Sequence, residues 1–127
     1  MKALIIDEPW VSLIVSGKKT WEMRSRNTQV RGRIGLIRKG SKTIVGVADL
    51  VGTLPKLSRS DLKASVAKHR VPACEISEDF KHSTAWVLER ARPLREPVAY
   101  RHPAGAVIWV NLDQDVTAAI QQQLANG

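Results

Sequence analysis

A single cysteine, Cys74, stands among 127 residues, so no internal disulfide can form and no cysteine set exists to hold a structural zinc. That usage suits a reducing, cytoplasmic setting. Long apolar runs are also missing. The opening residues 1–6 are followed at once by Asp7 and Glu8, too short a stretch for the apolar region of a signal peptide or for a bilayer span. Secretion and membrane insertion are therefore not expected. There is no internal repeat, linker or low-complexity segment, and the strand-helix alternation of a doubly wound parallel sheet is absent. What is present, 43% hydrophobic and 25% charged residues, fits one compact domain over residues 1–127 with a core of its own.

Acidic residues are the scarcer charge: 12 Asp and Glu against 20 Lys and Arg give a net charge of +8. The excess is local. Residues 17–42 hold nine cations (Lys18, Lys19, Arg24, Arg26, Arg31, Arg33, Arg38, Lys39, Lys42) and one acid, Glu22. A polyanion suits such a concentration, because neutralising phosphates releases condensed counterions; a merely solubilising face is the plain alternative.

Residues 3–6 read as a short buried strand. Asp7, Glu8 and Pro9 then open a helix over 9–16 that Gly17 closes, with Trp10, Leu13 and Ile14 as its apolar stripe, widened by Val11 and Val15. From Thr20 the period becomes two, so Thr20, Glu22 and Arg24 face one way and Trp21 and Met23 the other. Further β-type runs follow at 34–38, 44–51, 85–91 and 106–112, giving about six strands. Ser58 and Asp61 resemble a capping box opening a second helix, with Leu62, Val66 and His69 along one side and Pro72 at its end. A last helix spans about 115–124. The pattern predicts an α+β domain, a small mixed β-barrel with two to three helices packed outside.

Gly35, Gly40, Ser41 and Lys42 approach a phosphate-binding loop, but the order is Ser-Lys where Lys-Ser or Lys-Thr is needed, and a strand follows instead of a helix. Nucleotide triphosphatase chemistry is set aside. Cys74 reads as a small packed hydrophobe, His69 as a packed or capping histidine, and His82 and His102 have no ligand set near them, so neither metal nor cofactor is expected. The four tryptophans read as core, with Trp10 and Trp21 as candidate stacking platforms beside the basic segment. Lys19, Glu22 and Arg24 remain, close together where the first helix meets the next strand. A lysine beside a glutamate can clamp phosphate or, when desolvated, act as base or nucleophile; otherwise the two form a plain surface ion pair.

The run Gly17-Lys18-Lys19-Thr20-Trp21-Glu22-Met23-Arg24 resembles the GxKxxExR signature of the ASCH family, whose members have a barrel of the PUA-like superfamily. Pro9-Trp10 upstream, the Trp86-Val87-Leu88 strand and the closing 105–109 segment extend the likeness over about residues 2–112. The resemblance implies RNA binding in a cleft between the first helix and the barrel. Lys18, Lys19, Arg24, Arg26, Arg33 and Lys39 would then be the phosphate contacts, with RNA or nucleotides as partners; the residues leave the oligomeric state open, a monomer being the favoured expectation. Two enzymatic alternatives follow from the same resemblance, a ribonuclease for single-stranded RNA and an amidohydrolase for acetylated cytidine, either with Lys19 and Glu22 as the catalytic pair. Amidohydrolase relatives carry a threonine where this chain has Glu22, and an acid near the second helix, for which Glu75 is the nearest substitute.

Overall fold

The computed structural model describes residues 1–126. In chain order the elements are β1 (Lys2–Ile6), α1 (Trp10–Val15), β2 (Trp21–Arg24), β3 (Gly32–Arg38), β4 (Thr43–Thr53), α2 (Arg59–Ala64), α3 (Val66–His69), β5 (Thr84–Ala99), β6 (Trp109–Asn111) and α4 (Gln114–Asn126), with a 3-10 turn at Ala73–Glu75. The six strands form one curled sheet in the order β2-β5-β4-β3-β1-β6. Among the described residues β1 and β3 alone run parallel; the other neighbours are antiparallel. The sheet thus makes the half-barrel of an α+β domain.

Alternation along the strands sorts the core into layers. Leu4, Ile6, Leu36, Leu50 and Trp86 turn to the concave side, where α1 seals them with Val11 and Ile14. Ala3, Ile5, Ile37 and Val47 turn to the opposite face and are covered by α4 through Ile120. A third cluster, with Met23, Leu62, Val71, Ile76 and Ala85, ties α2 and the 3-10 turn to β2 and β5. Each fully buried aliphatic side chain stabilises the fold by roughly 1.5–3 kcal/mol over its exposed state.

Several elements differ from the sequence expectation. The second helix is broken at Ser65, whose Oγ donates to Asp61 O at 2.6 Å, the local bond by which serine competes with helix continuation. Among the described residues four helices result instead of two to three. The Ser58–Asp61 capping box does form. Strand β5 runs on past Pro93 and Pro97 because its pairing with β4 shifts register there: Pro97 lies in the unpaired stretch between the partners of Ile44 and Gly46, and Pro93, opposite Gly46, stands at its edge. Strand β6 is shorter than expected. His102 folds the preceding segment instead, its Nε2–H donating to Ala106 O and its Nδ1 accepting from the Tyr100 hydroxyl. On α1 the fully buried pair is Val11 and Ile14, with Trp10 and Leu13 only half-buried. Cys74 is exposed, not packed.

The seat of α1 depends on Gly46 in β4. A Cβ there would lie 2.6 Å from Val15 Cγ1 and 2.8 Å from the Arg92 carbonyl oxygen, and a main-chain atom cannot step aside cheaply. Gly46→Ala is expected to cost about 1–3 kcal/mol in urea denaturation. Gly52→Ala in the same strand, where a Cβ meets nothing within 4 Å, is the control and should leave the midpoint nearly unchanged.

Candidate functional site

Lys19 is delivered by the end of α1. The N–H groups of Lys18 and Lys19 both donate to Leu13 O at 3.0 Å, and the next residue is pinned on both sides, Thr20 N–H to Lys68 O at 2.9 Å and Leu88 N–H to Thr20 O at 2.8 Å. This places the Lys19 side chain inward, at 2% exposure. Its Nζ donates to His69 O at 2.6 Å, lies 3.6 Å from Glu22 Oε1 and sits 5.0 Å from the centre of the Trp10 ring. Burial pulls its pKa down to about 8, with Glu22 opposing the shift, as desolvation does to a cation.

The His69 carbonyl is free for this work because α3 stops there, with Arg70 in the left-handed region at φ 67. The ring of His69 is fully buried. Its Nδ1 accepts from Val71 N–H at 2.9 Å, which leaves Nε2–H to donate to Leu62 O at 2.6 Å. Burial is also what lowers its pKa. It is a packed histidine that holds the α3 turn in place, as the sequence suggested.

Glu22, 6% exposed, is shared between two cations. Its Oε2 accepts from Arg24 Nε at 2.9 Å and lies 2.8 Å from Nη2, while Oε1 faces Lys19. Arg24 also donates to Ile5 O at 3.0 Å, and its guanidinium lies 5.5 Å from the Trp86 ring centre. The same-face reading of Glu22 and Arg24 is thus realised as a direct hydrogen bond.

These groups form the floor of a cleft of about 600 Å³, within the range that small ligands occupy. Of the sequence-nominated residues, Trp10, Lys19, Glu22, Arg24 and Lys39 line it. Lys39 pairs with Asp7 at 3.7 Å. Lys18, Arg26 and Arg33 are exposed but lie outside the lining, and Arg33 shares Asp49 with Arg90. Trp21 packs against the third cluster and is also outside it. Three of the nine cations of residues 17–42 thus reach the cleft and the other six do not, because β3 and its flanking turns spread them along the sheet. Glu75, from the 3-10 turn, lines the cleft as well, as do Phe80 and His82, whose rings meet edge-on at 5.8 Å. The latter two come from a non-repetitive segment between Pro72 and β5. Only their residue types, an aromatic and an imidazole two positions apart, could have signalled them.

Among the described residues no group of three or more His, Cys, Asp or Glu is placed to hold a metal ion, and no helix is long and apolar enough to cross a membrane.

Comparison with known proteins follows the same lines. The model of the ASCH domain matches residues 4–98. Among solved structures, the ASCH protein of Zymomonas mobilis superposes with a TM-score of 0.68 at 20% identity, over 98% of this chain and 93% of that one. Two single-substitution variants of that protein superpose with a TM-score of 0.70 at 20% identity, each over 95% of this chain and over 94% and 96% of theirs. A comparison with curated proteins finds no match. With its signature motif on the floor of the cleft and the family match spanning three-quarters of its length, the chain belongs to the ASCH domain family.

Proposed function

We propose that this ASCH domain binds single-stranded RNA by taking one nucleotide into the cleft between α1 and the sheet. ASCH domains are generally RNA-binding. The observation that carries the finer reading is the convergence of the Lys19 amine, the Glu22 carboxylate and the Trp10 ring in one nucleotide-sized cleft. Single-stranded RNA is read by stacking on aromatic faces and by hydrogen bonds to base edges. Here the donor is Lys19, the acceptor Glu22 and the platform Trp10. The exposed cations Lys18, Arg26 and Arg33, with Lys39 at the cleft, supply the salt-sensitive attraction to the backbone.

The test is fluorescence anisotropy of an end-labelled single-stranded RNA followed in time at low salt. Lys19→Ala should weaken binding at least tenfold, and Lys63→Ala, an exposed cation on α2, should not. A folded Lys19→Ala protein with wild-type affinity dismisses the cleft as the RNA site. Decay of the signal only in the wild type would mean ribonuclease action.

A second reading is favoured by one specific observation: Lys19, its pKa pulled down to about 8 by burial, shares the cleft with Glu75. In an amidohydrolase for acetylated cytidine, water would add to the acyl carbon as its proton passes to neutral Lys19. The amide C–N bond would then break with proton return to the leaving amine. Release of cytidine from acetylcytidine by the wild type, lost in both Lys19→Ala and Glu75→Gln, is the result that reading requires.

A further inference from the structure

Three cations and three carboxylates line the cleft, and their pairing is uneven. Lys39 is turned to Asp7. Arg24 spends its Nε and Nη2 on Glu22 and Ile5 O. Lys19 donates to His69 O and faces Glu22. Every cation of the lining is thus already engaged by a protein acceptor. Glu75 is the exception among the charged groups. It is exposed to the cavity, and among the described residues no cation lies within 4.0 Å of its carboxylate and no hydrogen bond engages it. The rest of the wall is apolar or aromatic, with Ile5, Trp10, Met23, Val71, Phe80 and Val107, apart from the imidazole of His82, which packs edge-on against Phe80.

At the buried end of this space a phosphate would have to displace Glu22 from Arg24 and Lys19, and it would come to rest beside the unneutralised carboxylate of Glu75; the exposed Lys39–Asp7 pair at the mouth is the weaker obstacle. An uncharged ring has neither difficulty. It can lie against Trp10 and Phe80 while an exocyclic or imino N–H donates to Glu75, a charge-assisted bond of the stronger kind. From this arrangement we infer that the cleft admits the base and ribose of its ligand and rejects its phosphate, with Glu75 as the specificity-determining residue. The inference rests on the nucleotide-binding reading above and fixes its orientation: base inward, phosphates outside with the exposed cations.

Isothermal titration of the four ribonucleosides and their 5′-monophosphates against the wild type and Glu75→Gln tests it. At least one nucleoside should bind the wild type threefold or more tighter than its 5′-monophosphate, with an affinity insensitive to salt. In Glu75→Gln, an exposed and isosteric change, that preference should shrink or reverse. A monophosphate that binds the wild type more tightly than its nucleoside overturns the inference and leaves RNA binding in the cleft standing. A preference unchanged in Glu75→Gln removes Glu75 from the role. If neither compound class binds the wild type, the inference fails, and the Lys19→Ala anisotropy result decides the broader reading independently.

Discussion

Glu22→Leu is expected to lower stability by about 3–5 kcal/mol, the cost of removing one partner from a buried ion pair. The reason lies in what is left behind. Arg24 would keep only the Ile5 carbonyl and Lys19 only the His69 carbonyl, so two positive charges would face each other across the cleft floor without the carboxylate that both use. Glu22→Gln should be milder, since the amide oxygen can still accept from Arg24 but carries no charge. Urea denaturation at pH 7 measures both. A loss below about 1 kcal/mol for Glu22→Leu would place this pair among exposed salt bridges, which contribute about 0–1 kcal/mol, and would contradict the burial of Glu22.

The second large effect is a pH dependence. The Lys19 amine has a folded pKa of about 8 against an ordinary 10.5. Below pH 8 the amine is protonated in both folded and unfolded chains, and its burial as a cation weighs against folding. Between pH 8 and 10.5 the unfolded chain holds the proton that the folded chain has released, so stability rises with pH in that window. The full gain is on the order of 3 kcal/mol, from 1.36 kcal/mol per pKa unit. Titrations that Lys19→Met leaves in place cancel in the comparison. The stability of wild type minus Lys19→Met should therefore be flat up to pH 8, climb to pH 10.5 and level off. A difference that stays flat throughout shows that Lys19 keeps its ordinary pKa and is more exposed to water than its geometry indicates.

Much of this architecture was legible in the residues, and its limits have physical causes. Residues 3–6 and 34–38 are short apolar runs flanked by turn-forming or charged residues, and they became β1 and the end of β3. Ser58 and Asp61 carried their own cap. What could not be read was competition between local bonds. Whether Ser65 would bond back to Asp61 and split a helix, or whether register shifts would let β5 absorb two prolines, depends on neighbours far away in sequence. The cleft shows the same division. Lys19, Glu22 and Arg24 are adjacent in the chain, so their spacing betrayed them. The acceptor that orients Lys19 is a main-chain oxygen, and no residue type marks a carbonyl. Glu75, Phe80 and His82 reach the cleft only through the packing of the 3-10 turn and of the segment after it. The concentration of charge in residues 17–42 was real in sequence and dispersed in space, because successive strands carry neighbours along the chain apart.

Arg24 joins two parts of the molecule that the hydrogen-bonded ladder leaves apart. β2 and β1 are not neighbours in the sheet order, yet the guanidinium on β2 holds Ile5 O of β1 while the same group grips Glu22. Where a closed barrel would be hooped by main-chain bonds, this one is buckled by a side chain, and the buckle is also part of the ligand cavity. The same guanidinium thus belongs both to the closure of the sheet and to the wall of the cavity. Glu22 steers that guanidinium toward Ile5 O, so the carboxylate that faces the cavity also aims the clasp across the open side of the sheet.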